Sequence, residues 1–314
     1  MGQGIAQMAA QAGSQVLLFD AATERAVQAQ QAIATQWQKM LDKQRITAAQ
    51  HQSYLSALRT VDSLQALSGC DLVVEAIIEN VQVKQALFAQ LCEVLSGDAV
   101  LASNTSFLSI TALAAGLKRP ERFAGLHFFN PVPLMKVVEV VPGLATASSV
   151  CDKLKAYVLT MGHQAVLAQD TPGFIVNHAG RGYGTEALRI VNEGVADFAT
   201  IDRILRDQVG FKLGPFELMD LTALDVSHPV MESIYHQYFE EPRYRPSVIT
   251  AQRFAGGWLG RKTGQGFYSY EQGKAQIPPE PITPSSTLKP PVWVSARAAR
   301  RAELLQLLKN LGAT

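Results

Sequence analysis

Residues 103–141, SNTSFLSITALAAGLKRPERFAGLHFFNPVPLMKVVEVV, decide the fold. Ser103 closes the apolar run AVLAS, which reads as a buried strand followed by the start of a helix. His127 closes a second run, FAGLH, and Glu139 lies in a third, KVVEVV. The turn Asn130 to Pro133 reverses the chain between them, so the imidazole and the carboxylate face each other. From the residues alone this pair is either a structural ion pair or a catalytic dyad. Ser106 is likewise either a helix cap before Leu108 or a ligand for a substrate.

Moving outward, DLVVEAI (71–77) reads as another buried strand and ENVQVKQALFAQLCEVL as an amphipathic helix beginning near Asn80. SQVLLFD reads as an apolar strand ending in Asp20, and residues 21 to about 57 are helical in pattern. The helix VCDKLKAYVLTMG and the strand QAVLAQ lie on the other side. Strands alternating with helices predict an α/β fold, a Rossmann-type doubly wound sheet over residues 1–170. After DTPG the pattern turns helical. FIVNHAGRGYGTEALRIVNEG, 200–209, 230–238 and 247–255 read as helices, with GFKLGPFELMDLTALDV as a loop leading into one. Residues 171–272 are therefore an all-α domain of a size that dimerises through apolar faces. Residues 273–314 comprise a Pro-rich linker, IPPEPITPSSTLKPP, then an expected strand and basic helix opening a further, incomplete unit.

The first residues, MGQGIAQMAAQAG, read as the interior of a helix with no strand before it. Asp20 follows Gly2 at about the twenty-residue offset at which an acid in a dinucleotide site binds the ribose hydroxyls and disfavours a 2′-phosphate. As a lone residue it reads equally well as a helix cap. A complete site of this kind has an apolar strand and two more glycines upstream. The first strand is thus expected to be missing, with apolar faces exposed on its neighbours. This chain expressed alone is expected to bind NAD poorly or fold badly.

With 314 residues, 47% of them hydrophobic, the chain has material for two cores. A net charge of +1 without a global basic field argues against a nucleic-acid role, and no stretch resembles a membrane span. Cys70, Cys92 and Cys151 match neither a disulfide framework nor a zinc site, and read as reduced packing residues of a cytoplasmic protein. Lys39, Lys43 and Arg45 fall within two helical turns. They form either a solvated face or a neutralising patch for a large anionic ligand.

Taken together, MGQGIAQMAAQAG with Asp20, VVEAIIENVQVK, SNTSFLSIT, GLHFFNPVPLMKVVEVV, DTPGFIVN, GPFELMDLTALD and KTGQGFYSY resemble, in order, the L-3-hydroxyacyl-CoA dehydrogenases. The resemblance runs from Gly2 to Tyr270, and the tail resembles the longer bacterial members that carry a second helical domain. It implies reversible hydride transfer between C3 of a (3S)-3-hydroxyacyl-CoA and NAD, in fatty-acid or aromatic-compound degradation, by a homodimer joined through the helical domain. It implies that His127 is the base, oriented by Glu139, while Ser106 and Asn177 hydrogen-bond the substrate oxygen and the cofactor. It places Gly2, Asp20, Glu79, Lys84, Asn104, Ser106, Asn130 and Lys262 at NAD, and Lys43, with Ser106, at the CoA substrate. Gln36 departs from a serine of the family's CoA site. Two other readings are a non-catalytic protein of the same fold, as in lens crystallins of this family, and an NAD dehydrogenase of a free hydroxy acid.

Overall fold

The computed structural model describes residues 1–280, 282 and 291–312. In chain order its first part comprises α1 (Gly2–Gln11), β1 (Val16–Leu18), α2 (Thr23–Asp42), α3 (Ala48–Ala57), β2 (Leu58–Thr60), β3 (Leu72–Glu75), α4 (Val81–Val94), β4 (Val100–Ser103), α5 (Ile110–Ala114), β5 (Phe123–Phe128), β6 (Val137–Pro142), α6 (Ser148–Thr160) and β7 (Gln164–Leu167). Five strands form one sheet in the order β3-β4-β5-β6-β7, parallel except for the β5-β6 pair. The Asn130–Pro133 turn causes that exception, and its register sets His127 directly opposite Glu139.

Helices cover both faces, as a mostly parallel sheet requires. On one face Leu126, Phe128, Val138 and Val140 pack with Val150, Leu154 and Val158 of α6. On the other, Leu101, Phe123 and Val141 meet Phe88 and Leu91 of α4 and Ile110 and Leu113 of α5. Asp170, after β7, fastens α5 to the sheet: its carboxylate accepts from Ser109 Oγ and from the Ile110 and Thr111 N–H groups.

β1 and β2 form a separate parallel pair. The free edges of β1 and β3 face a cleft of about 1920 Å³ lined by Ile5, Val16, Leu18, Leu72 and Val74 among others. Neither strand has a hydrogen-bonding neighbour on that side among the described residues, and their apolar side chains are mostly half-buried. Two expectations are corrected here. The strand in SQVLLFD shrinks to Val16–Leu18, because it pairs along one edge with only the short β2. The helical stretch 21–57 divides into α2 and α3, the second opened by a capping box between Thr47 and Gln50.

The helical part comprises α7 (Val176–Ala179), α8 (Arg181–Asn192), α9 (Phe198–Arg203), a π-helical turn (Ile204–Gln208), α10 (Pro215–Thr222), α11 (Leu224–Gln237) and α12 (Val248–Ala255), then the hairpin of β8 (Tyr270–Glu271) and β9 (Lys274–Ala275). The segment read as a loop contains α10. Gly214 and Pro215 are its N-cap and first residue, a position suited to proline because the missing N–H is an orphan there anyway. A Cβ on Gly214 would collide with Asp202. That close approach lets the Asp202 carboxylate accept from the Phe216 and Glu217 N–H groups and from Tyr268 Oη. Asp220 similarly accepts from the Phe267 and Tyr268 N–H groups and from Tyr270 Oη. Two buried aspartates thereby tie GPFELMD to GFYSY.

Burial pushes the Asp202 carboxyl up to about 6, against the donors that favour its anion. An acid with a raised folded-state pKa contributes stability that is full below its unfolded value and is lost as pH rises through the folded one. The unfolding free energy of the wild type, measured by chemical denaturation, should therefore fall by roughly 2–3 kcal/mol more between pH 4 and 7 than that of Asp202→Asn. Identical pH dependence in the two proteins would contradict this.

Met1–Ala275 pack as one unit and Gln276–Thr314 as another. Within the second, the strand expected over 292–294 does not form, having no partner strand there among the described residues, and α13 (Arg301–Asn310) follows. Most of the Pro-rich linker lies outside the described residues.

Candidate active site

His127, on β5, and Glu139, on β6, are 3% and 1% exposed, and His127 Nδ1 lies 2.6 Å from Glu139 Oε2. Rings of Phe129 and Phe174 flank the imidazole at 4.5 and 5.7 Å between centroids. The second carboxylate oxygen, Oε1, accepts from the Ile175 and Val176 N–H groups, both at 2.9 Å. Gly173 makes this possible: its φ is +81°, a conformation that favours glycine, and a Cβ there would lie 2.9 Å from His178 N. Glu139 thus holds the imidazole with one oxygen and the start of the helical part with the other. With Nδ1–H donating to Glu139, Nε2 carries the basic lone pair.

Ser106 sits in the loop after β4. The caps there belong to Thr105, which accepts from Leu108 N, and Ser109, which accepts from Ala112 N, so Ser106 is not a helix cap. Its N–H donates to Glu79 Oε1 at 2.7 Å and its carbonyl accepts from Asn177 Nδ2 at 3.0 Å. Gln237 Nε2 donates to the neighbouring Phe107 carbonyl at 3.0 Å, a second tie from the helical part that no sequence signal announced. The structure therefore brings Ser106, His127, Glu139 and Asn177 into one contiguous site.

Beneath that loop lies a buried charge network. Lys84 is 1% exposed, with Nζ 2.6 Å from Glu75 and 3.3 Å from Glu79. Glu75 also accepts from Ser103 Oγ and the Ile77 N–H, each at 2.6 Å. Lys84, expected at the cofactor, is thus committed to two carboxylates and supports Glu79 from below. Glu75, half of that pair, was hidden in VVEAI, which reads as a plain buried strand. Asn104 is buried as well: its Oδ1 accepts from Phe128 N at 2.9 Å, holding the loop beside the end of β5.

The remaining expected residues are spread out. Gly2 and Asp20 line the cleft between β1 and β3, and Asp20 also accepts from Ala22 N at the entry to α2. Both readings of Asp20, helix cap and ribose ligand, are compatible with that position. A Cβ on Gly2 would meet only Ala76, at an ordinary contact distance of 3.7 Å. The cleft is lined mainly by apolar side chains, as expected between strand edges without a neighbour, and Asp20 among its lining is a carboxylate of the kind that binds a ribose. Asn130 is exposed at the turn before Pro131. Lys262 is ion-paired with Asp225 at the start of α11, and Lys43 is exposed with Lys39 and Arg45 near the end of α2. The partners of the dyad described above include neither lysine.

Residues 1–171 match the family model described as "3-hydroxyacyl-CoA dehydrogenase, NAD binding domain", and residues 173–270 match "3-hydroxyacyl-CoA dehydrogenase, C-terminal domain". The chain is 46% identical over 277 residues to 3-hydroxyadipyl-CoA dehydrogenase of Escherichia coli K12, covering 88% of this chain and 58% of that protein. It is 38% identical over 274 residues to 3-hydroxybutyryl-CoA dehydrogenase of Bradyrhizobium diazoefficiens, covering 87% and 93%. A crystal structure of 3-hydroxybutyryl-CoA dehydrogenase from E. coli K12 superposes with a TM-score of 0.85 at 44% identity, covering 90% of this chain and 60% of that one. The chain thus spans about three-fifths of the length of two of these relatives. Two family models in sequence, over a sheet and a helical part that meet at the His127–Glu139 pair, show that the chain belongs to the 3-hydroxyacyl-CoA dehydrogenase family.

Proposed function

We propose that this protein oxidises a (3S)-3-hydroxyacyl-CoA to the 3-oxoacyl-CoA, reversibly, in the degradation of fatty acids or aromatic compounds. The observation that carries this reading is the buried His127 imidazole, held at 2.6 Å by a carboxylate that is itself anchored by two backbone donors. NAD, when bound, accepts the hydride from C3. His127 Nε2 takes the hydroxyl proton as that hydride departs, and returns it in the reductive direction. Glu139 fixes the tautomer and stabilises the imidazolium that forms. Ser106 and Asn177 would donate, as a hydroxyl and an amide, to an oxygen gaining negative charge. Asp20 and Glu79 would accept hydrogen bonds from the ribose hydroxyls. Lys43, with Lys39 and Arg45, would meet the CoA phosphates as exposed cations.

The protein is further proposed to act in the cytoplasm as a homodimer through its helical part. No helix among the described residues is long and apolar enough to cross a membrane, and Cys70, Cys92 and Cys151 are free thiols whose pKa values burial raises. Leu221, Val226, Val248 and Trp258 expose apolar surface on and beside α10–α12, which a second copy would cover.

The test is NADH oxidation with acetoacetyl-CoA by the full-length protein, beside the same assay with acetoacetate. Turnover of the thioester alone is expected. Turnover of the free acid at equal efficiency would favour the hydroxy-acid reading, and no turnover of either the non-catalytic one.

A further inference from the structure

Arg181 opens α8, four residues after Asn177. Its Nε and Nη1 are buried and have no hydrogen-bond partner among the described residues. Burial pushes its pKa down, with no acid acting in the other direction. Arg253 Nε is likewise buried without a hydrogen-bond partner, but that guanidinium has aromatic faces and the nearby Asp220 carboxylate to compensate it. Arg253 lies over the rings of Phe198 and Phe267 and donates to the Ile249 carbonyl. Arg206 pairs with Asp207 and Glu217, and Arg189 with Glu186 and the Pro242 carbonyl. An uncompensated buried cation is destabilising by several kcal/mol, so a group that completes it is to be expected.

The place of Arg181 indicates which group. Ile175 and Val176 are bonded to Glu139, and Asn177 to the Ser106 carbonyl. The segment leading into Arg181 is therefore pinned to the reacting centre, and Arg181 follows one helical turn on, about 5.4 Å along the axis. A guanidinium is shaped for a planar oxyanion taken by two parallel N–H donors. The patch at Lys39, Lys43 and Arg45 already offers charge to the CoA phosphates on a different element.

Building on the dehydrogenase reading above, we propose that Arg181 receives a carboxylate at the far end of the acyl chain, so that the preferred substrate is a dicarboxylic 3-hydroxyacyl-CoA. Asn177 and Arg181, four residues apart, share a helix face, so a substrate with C3 beside Asn177 would direct a carboxylate three carbons further on, as in an adipyl chain, toward that guanidinium. A monocarboxylic chain leaves the guanidinium buried and unpaired, and is discriminated against by that penalty.

Calorimetric titration of the chain with adipyl-CoA and hexanoyl-CoA, equal in length and lacking the reactive hydroxyl, tests this without turnover. Wild type is expected to prefer adipyl-CoA by about tenfold or more. Arg181→Met should abolish the preference and Arg181→Lys, which keeps the charge without the planar fork, should retain part of it. In NADH oxidation, the ratio of kcat/KM for 3-oxoadipyl-CoA over acetoacetyl-CoA should fall about 100-fold in Arg181→Met, chiefly through KM. Equal binding of both thioesters by wild type, or parallel losses that leave both ratios unchanged, overturns the proposal. An Arg181-dependent preference in a chain that reduces neither ketone would keep the carboxylate site and refute the dehydrogenase reading. Turnover of acetoacetyl-CoA with no such preference would do the reverse.

Discussion

His127→Gln is expected to lower kcat by about 10³-fold, within the usual contribution of a positioned general base, while binding of NADH and acyl-CoA persists. The imidazole is flanked by Phe129 and Phe174, so a side chain of similar size preserves the packing that an alanine would lose. The introduced amide can still bond to Glu139 but has no lone-pair nitrogen to accept the hydroxyl proton. Rapid-mixing kinetics separate the two contributions. The hydride step, followed through NADH absorbance, should slow in proportion to kcat, while a thermal melt should shift little. A loss confined to KM would mean that His127 binds substrate and does not act as the base.

Glu139→Gln should be nearly as damaging, for a reason peculiar to this site. Glu139 Oε1 accepts from two backbone donors while Oε2 faces His127 Nδ1. A glutamine can keep its oxygen toward Ile175 and Val176 only by turning its NH₂ toward the imidazole. The ring must then accept at Nδ1 and carry its proton at Nε2, the wrong tautomer for a base. A loss of about 10³ in kcat/KM is expected, approaching the scale seen when a triad carboxylate becomes an amide, together with little loss of stability. If the amide turned the other way, the tie to the helical part would break and the melting temperature would drop with the activity. Measuring kcat/KM and the melt on the same sample distinguishes these outcomes.

The dyad was legible in the sequence because alternating apolar runs and a Pro-bounded turn leave few registers for β5 and β6, and the observed one sets His127 against Glu139. The alternation of strands and helices through β3 to β7 was legible on the same periodicity. The misreadings have physical causes. α10 looked like a loop because Gly214 and Pro215 break helical periodicity when inside a helix and begin one when at its start. The burial of Lys84 was not legible because it depends on Glu75, which lies on a different element and draws the lysine in. Arg181 was invisible for the opposite reason. What marks it is the absence of a partner for a buried guanidinium, which no local pattern encodes.

The central claim is that His127 and Glu139 act as one unit in proton transfer, and a double-variant cycle tests it most directly. Groups that work as a unit lose activity together, so the combined variant should be little worse than the weaker single one. With wild type, His127→Gln, Glu139→Gln and the double variant assayed for NADH oxidation with acetoacetyl-CoA, the double variant should lie within about threefold of His127→Gln. Multiplied losses, or wild type showing no turnover above the variants, would contradict the account.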